Sequence, residues 1–355
     1  MEFFFIFIYN NLGCDKMTIY DKNLEELEEY FLSIGEKKFK AKQLYKWLYQ
    51  KQIDNYSLVT DIKKDILNKL DEDLPIEMVS MVSVERDVDV NKYLFRLRDG
   101  EHIEAVLMKH DYGNSICVSS EVGCNMGCKF CESGRRRKVR NLTTGEMVTQ
   151  LLLVEKDLGS KITHVVVMGI GEPFDNYDAV MNFIKIINSS FGLQIGSRHI
   201  TVSTCGIVPK IYEFMNFPYQ VNLAISLHAP NNEIRNKIMP INKVYPIEEV
   251  IVAVKDYISK TNRRVTFEYI MLKDLNDSST CALELAKLLK GINCYVNIIP
   301  YNETENISFK RSEVFQIMKF YDILKKNNIS VTIRREFGSK ISAACGQLRS
   351  KKEEL

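Results

Sequence analysis

The chain has 355 residues, of which 45% are hydrophobic and 26% charged, and a net charge of +2. That length and balance belong to a globular protein with a large core and more than one domain, and they exclude a disordered or fibrous chain. So small a net charge gives no general attraction to nucleic acid, and such a partner must be held by local patches.

The first element is an apolar run, Phe3 to Ile8, that lacks a basic flank and is too short to span a bilayer. A start at Met17, just before a strong helix signal, is expected, with residues 1–16 a disordered extension. No other stretch approaches a membrane span, so no membrane partner is expected. Nine cysteines, an odd number without the rhythm of a disulfide scaffold, place the chain in a reducing compartment, the cytoplasm.

Residues 17–74 predict a small helical accessory domain. Leu24, Leu27, Tyr30 and Phe31 recur at helical spacing before Gly35; Leu44, Trp47 and Leu48 form a second stripe, and Ile62, Ile66 and Leu70 a third. Lys37, Lys38, Lys40, Lys42 and Lys46 cluster around the second helix, where they suit either RNA contact or a solvated face. Residues 75–112 read as a β extension, with runs at 93–97 and 103–107 joined by Asp99-Gly100, a hairpin signal.

From 113 to 348 the pattern changes to strand then helix. Strands are predicted near 115–119, 163–168, 199–203, 221–227, 264–270, 293–299 and 329–334, with amphipathic stretches between them. Such alternation predicts an α/β fold with parallel strands, and about six strand–helix units make a partial, open (βα)6 TIM-like barrel rather than a closed eightfold one. Residues 349–355 form a charged tail.

Chemistry is expected at the carboxyl ends of those strands. After the first comes Cys124, Cys128 and Cys131, spaced C-x-x-x-C-x-x-C, with Gly123, Gly127 and Gly134 for a tight loop and Phe130 to exclude water. Three thiolates can hold three irons of a 4Fe–4S cube and leave the fourth open to a substrate, most plausibly S-adenosylmethionine. A zinc knuckle or buried structural thiols are the alternatives; the expected second ligand pair for zinc is missing, although Cys205, Cys281 and Cys294 are available singly. The run Arg135, Arg136, Arg137, Lys138 and Arg140 follows directly, positioned either as a solvated face or as a phosphate contact. Later strand ends carry Gly169, Gly171, Glu172 and Pro173; Thr204 and Gly206; Ser226, Leu227 and His228; and Pro300, Tyr301 and Asn302. Glu172 suits an ammonium group, whereas His228 alone reads more simply as a satisfied core histidine.

Taken with Gly-Ile-Gly-Glu-Pro at 169–173, Ser-Leu-His-Ala-Pro at 226–230, Met-Pro-Ile-Asn at 239–242 and Ala-Ala-Cys-Gly-Gln-Leu at 343–348, the cysteine loop closely resembles the radical S-adenosylmethionine adenine methyltransferases of 23S ribosomal RNA. That family comprises the RlmN and Cfr enzymes, and the resemblance runs from about Leu24 to Leu348. It implies a radical S-adenosylmethionine barrel in which Cys124, Cys128 and Cys131 bind the 4Fe–4S cluster. Gly171, Glu172, Ser203, Ser226, Leu227, His228 and Asn302 match the family's S-adenosylmethionine contacts. Cys345 matches its methyl-carrying cysteine, Cys117 its second reactive cysteine and Glu104 its proton acceptor. Ile170, Cys205, Glu132 and the Arg135–Arg137 run depart from the family's usual residues.

The implied reaction uses two S-adenosylmethionine molecules per turnover. One methylates the Cys345 thiolate; the second is cleaved by one electron at the cluster, and the radical it yields removes hydrogen from the S-methyl group so that its carbon adds to adenine. Glu104 then takes the ring proton and Cys117 attacks the thioether sulphur, leaving a Cys117–Cys345 disulfide. Pro173 and the Pro300-Tyr301-Asn302 stretch look more like RlmN, which implies methylation at C2 of an adenosine in the peptidyl-transferase centre of 23S rRNA and of an anticodon-adjacent adenosine in tRNA. Methylation at C8 of the same ribosomal base, as in Cfr, is the alternative, and a zinc-containing RNA-binding assembly factor is the reading from another class. A one-electron donor such as flavodoxin or ferredoxin and a monomeric state are expected.

Overall fold

The computed structural model describes residues 17–334 and 347–348; the expected extension at 1–16, Cys345 and the charged tail lie outside the described residues. The helical domain contains α1 (Leu24–Ser33), α2 (Phe39–Tyr45) and α3 (Lys64–Asp73), with a single wide turn, Lys46–Gln50, continuing α2. Asn23 starts α1 as half of a reciprocal cap: its side chain accepts from the Glu26 amide at 3.0 Å while Glu26 accepts from the Asn23 amide at 2.9 Å. Leu27 and Phe31 are the buried face of α1, and Ile66 and Leu70 that of α3, as the stripes predict.

The extension supplies β1 (Ser80–Arg86), β2 (Val90–Arg96) and β3 (His102–His110), a meander that joins β4 (Gly113–Val118) antiparallel. A short pair, β5 (Glu121–Val122) with β6 (Arg140–Asn141), brackets the cysteine loop. There follow α4 (Thr144–Leu158), β7 (His164–Val167), α5 (Tyr177–Asn188), β8 (Ile200–Thr204), α6 (Val208–Phe214) and β9 (Asn222–Ser226). The chain then runs through α7 (Asn232–Ile238), α8 (Ile247–Thr261), β10 (Val265–Met271), α9 (Ser279–Leu289), β11 (Cys294–Pro300), α10 (Val314–Lys326) and β12 (Val331–Ile333).

All ten long strands form one sheet in the order β1-β2-β3-β4-β7-β8-β9-β10-β11-β12, and β4 with β7 to β12 run parallel. Because β1 and β12 do not pair, the barrel stays open, as six crossover units imply. The Val- and Ile-rich parallel strands bury their helix-facing side chains, and one apolar core runs from α1 through the barrel helices to α10. The helical domain is tied to α4 and α5 by polar contacts: Asp21 accepts from the Gly145 amide at 2.6 Å, and Asn23 donates to Asn182 at 2.7 Å.

The lysines around α2 are largely engaged within the fold. Lys38 and Lys42 lie 3.8 Å from Glu28, Lys40 pairs with Glu36 at 2.5 Å, and Lys42 and Lys46 stand over the Phe191 ring. Among the described residues, no helix is long and apolar enough to cross a membrane.

Candidate active site

One cavity opens at the carboxyl ends of the parallel strands, lined by Cys124, Cys128 and Cys131 together with Phe130, Gly171, Glu172, Ser203, Ser226 and His228. The cysteine loop is shaped by backbone contacts: the Cys124 amide donates to the Arg136 carbonyl at 3.0 Å, and the Lys129 amide to Ile238 at 2.9 Å. Gly123 sits at φ +76°, where any side chain would collide with the Arg137 carbonyl. Burial pushes the Cys124 thiol up to about 12 and the Cys128 thiol well above its ordinary value. A metal's charge would offset that burial and favour the thiolate form, so the donors fit an iron cluster. Among the described residues no three His, Cys, Asp or Glu side chains converge as ligands for one ion. The three thiols share a cavity wall, which leaves one thiol for each of three irons.

Glu172 is held from three directions. Its carboxylate accepts from the Phe174 amide at 3.0 Å and the Cys205 amide at 2.8 Å, and its own amide donates to Glu121 at 3.0 Å. Burial raises its pKa, and the amide donors oppose that shift. A carboxylate preorganised this way can receive an ammonium group without moving. Across the cavity, the Ser203 and Ser226 hydroxyls meet at 3.3 Å.

His228 has a left-handed backbone, φ +57°, uncommon for a side chain of its size. Its Nδ1 accepts from the Ile270 amide at 3.1 Å, which leaves the ring proton on Nε2, and the ring stands edge-on to Phe130 with centroids 4.8 Å apart. Burial, then the nearby Arg235 charge, lowers its pKa to about 3, so the imidazole is neutral.

Leu227 is fully buried and Asn302 half-buried just past β11; neither lines the cavity. Cys117 and Glu104 lie next to it rather than in its wall. Cys117 pairs in register with Val106, so Glu104, one pleat further along β3, projects from the same face. Cys117 packs with Val90, Met108, Ile170 and Leu348. The described end of the Ala-Ala-Cys-Gly-Gln-Leu motif docks here too: Ser133 donates to the Leu348 carbonyl at 2.9 Å, and Gln347 to the Glu303 carbonyl at 3.1 Å.

Comparison with known proteins places this geometry. Residues 118–285 match the Radical SAM superfamily, and residues 17–76 match the Ribosomal RNA large subunit methyltransferase N-terminal domain. The probable dual-specificity RNA methyltransferase RlmN of Caldanaerobacter subterraneus is 53% identical over 333 residues, covering 93% of this chain and 97% of its own. That of Enterococcus faecalis is 52% identical over 345 residues, covering 95% and 97%. The chain belongs to the RlmN family. A crystal structure of a radical SAM methyltransferase from Sphaerobacter thermophilus, 42% identical, superposes with a TM-score of 0.90 over 94% of this chain and 100% of that one.

Several residues of this RlmN-family site give no signal in the sequence. Arg235, on α7, is fully buried and donates to the carbonyls of Cys205 at 2.6 Å, Leu227 at 3.1 Å and Ser226 at 3.3 Å and to the Asn242 side chain at 2.9 Å. It ties the ends of β8 and β9 to the Met-Pro-Ile-Asn motif. Glu268, on β10, lines the cavity with its pKa raised by burial and accepts from Asn297 at 2.8 Å. The basic run divides by alternation. Arg136 pairs with Glu101, Lys138 with Glu121 and Asp175, and Arg140 with Asp99 and Glu146, whereas Arg135 and Arg137 are exposed, Arg135 lying 3.7 Å from Glu132.

Proposed function

We propose that this protein is an RlmN-type dual-specificity RNA methyltransferase that methylates C2 of an adenosine in 23S rRNA and of an adenosine in tRNA. The observation that carries the reading is the convergence of three thiols, the Glu172 turn and the Ser203–Ser226 pair on one cavity whose rim receives the C-terminal Gln347-Leu348. Cys124, Cys128 and Cys131 hold a 4Fe–4S cluster, and Gly171, Glu172, Ser203, Ser226 and His228 face S-adenosylmethionine, with Leu227 and Asn302 supporting from behind. When bound, these groups supply one-electron chemistry at a ring carbon that no side chain can alkylate.

The chain's own residues do the rest. Cys345 accepts the methyl group as a thiolate and presents it to the base, and two S-adenosylmethionine molecules would be needed per turnover, one to methylate the thiol and one to supply the radical. Leu348, three residues after position 345 in the chain, packs beside Cys117. Glu104, whose carboxylate lies 3.7 Å from the Lys92 ammonium, removes the ring proton. The adduct gives up its unpaired electron, and the Cys117 thiolate attacks the Cys345 sulphur: the S–S bond forms as the C–S bond breaks, the freed carbon takes a proton to become the methyl group, and a dithiol-class reductant reopens the disulfide with two electrons. The target base leaves its stack to enter the cavity, while Arg135, Arg137 and the helical domain contact the RNA backbone. A flavodoxin- or ferredoxin-type donor supplies the electron, and the protein acts as a monomer.

The test is nucleoside mass spectrometry after the anaerobically reconstituted protein has acted on 23S rRNA and tRNA transcripts. 2-Methyladenosine in both is expected. 8-Methyladenosine, or no methylated adenosine in the presence of an intact cluster, would overturn the assignment.

A further inference from the structure

The turn that carries Glu172 rests on a buried ion pair. Glu121, on β5, has no solvent exposure, yet it lies outside the cavity wall. One of its carboxylate oxygens accepts the Glu172 amide at 3.0 Å, and the other lies 2.7 Å from the Lys138 ammonium. Lys138 reaches in from the segment that follows the cysteine loop, 2.7 Å from Asp175 as well. The same segment fixes the loop itself, since the Arg136 carbonyl receives the Cys124 amide and the Val139 amide donates to the Val122 carbonyl at 2.7 Å.

The fit behind the turn is close. Gly171, at φ +112°, passes so near β5 that a Cβ there would lie 2.7 Å from both Cβ and Cγ of Glu121. The Ser120 and Glu121 amides both donate to the Ile170 carbonyl, at 2.9 and 3.1 Å. Glu121 therefore touches the Gly-Glu turn through backbone and side chain at once, while Lys138 joins it to the cysteine loop.

We propose that Glu121 and Lys138 form a strut that holds the Glu172 turn at a fixed setting against the cysteine loop, making Glu121 a positioning residue for S-adenosylmethionine. The inference rests on the proposed function of the cavity. Without an acceptor at position 121 the Glu172 amide is left buried and unpaired, and the peptide relieves this by turning, which carries the Glu172 carboxylate out of line. Glutamine keeps the acceptor and the shape; leucine keeps only the volume.

The experiment uses the full chain, reconstituted with iron and sulphide without oxygen, as parent, Glu121→Leu, Glu121→Gln and Lys138→Met. Iron content, thermal midpoint and the electron paramagnetic resonance spectrum of the reduced cluster are recorded as S-adenosylmethionine is added. Glu121→Leu should hold the parent's iron yet bind S-adenosylmethionine about tenfold more weakly, with a diminished spectral response. Glu121→Gln should recover to within about threefold of the parent, and Lys138→Met, which keeps the acceptor but loses the charge that orients it, should lose about threefold.

Parent-like binding by Glu121→Leu overturns the strut. So does loss of iron in proportion to binding without rescue by glutamine, because the residue would then only support the fold. Should Glu121→Leu not fold, parent-like binding by Lys138→Met overturns it instead. A parent whose spectrum ignores S-adenosylmethionine overturns the reading of the cavity, a failure distinct from that of the variants alone.

Discussion

The two sides of the site are built differently. On the side of the parallel strands, Glu172 and Arg235 are buried polar groups whose hydrogen bonds run mostly to backbone amides and carbonyls, so loop ends from three strands are locked together. On the side of the antiparallel extension, Cys117 and Glu104 stand on a pleated face among Val90, Val106, Met108 and Leu348, with Lys92 shared between Glu85 at 2.8 Å and Glu104 at 3.7 Å. Backbone partners fix a geometry, whereas apolar neighbours and a loose ion pair leave reactivity adjustable. The first side suits holding a cofactor; the second suits groups that must change protonation or bonding during turnover.

Substitutions on the two sides should therefore fail in different ways. Cys128→Ala has the largest effect: the protein should lose most of its iron on reconstitution and all methyl transfer, and full turnover with two anchoring thiols would end the cluster reading. Cys117→Ala should leave iron content at the parent's level but abolish release, so that protein isolated from cells carries covalently attached RNA, seen as nuclease-sensitive mass. Free protein with an intact cluster would break the division between the sides. Arg235→Leu should cost about 3 kcal/mol or more of stability in denaturant titration, because several buried carbonyls lose their donor together. A loss under 1 kcal/mol would mean that the strand ends hold without it.

The pH dependence of the apo protein probes the cofactor side. His228 has a folded pKa of about 3, below the ordinary 6.5, so between those values the unfolded chain binds a proton that the folded one does not. Stability should fall with acid across that window, by about 1.4 kcal/mol per pH unit from this group. Glu121, pushed up to about 7 by burial, acts with opposite sign between its ordinary 4.5 and 7, since there the folded state holds the extra proton. Comparing parent with His228→Asn cancels the Glu121 contribution. Asparagine tolerates the left-handed backbone, and the stability difference between the two proteins should shift towards the variant by about that slope as pH falls from 6 to 4. A constant difference would mean that His228 is protonated in the fold.

The same division decides what could be read in advance. The parallel strands are short apolar runs such as His164–Val167 and Asn222–Ser226, buried along at least one face, and their hydrophobicity marks them directly. The cysteine spacing marks its loop, and Asp99-Gly100 marks the hairpin. Strand β1 has no such mark, being mostly exposed along its length. Arg235, Glu121 and Lys138 stayed hidden for one reason: a charged residue in an amphipathic stretch or a basic run defaults to solvent, and only tertiary structure turns it inward. His228 fits both of its readings, for it is a satisfied buried histidine that also lines the cavity. Leu227 and Asn302 were named by motif, and motifs locate a backbone segment more securely than the direction of each side chain.

The smallest effect concerns the basic run, where alternation separates inward from outward residues. Arg136 is occupied by Glu101 and Arg135 lies 3.7 Å from Glu132, whereas Arg137 is exposed and has no ion pair among the described residues. If that outward residue meets a phosphate, Arg137→Ala should weaken RNA binding several-fold and reduce the salt dependence of the affinity by about one unit of slope. Arg136→Ala removes the same formal charge from the same run, yet its partner is already a carboxylate of the protein, so the slope should stay within about half a unit of the parent's. Equal slopes for the inner and outer substitutions would mean that RNA senses only the total charge and that the alternation serves the fold alone.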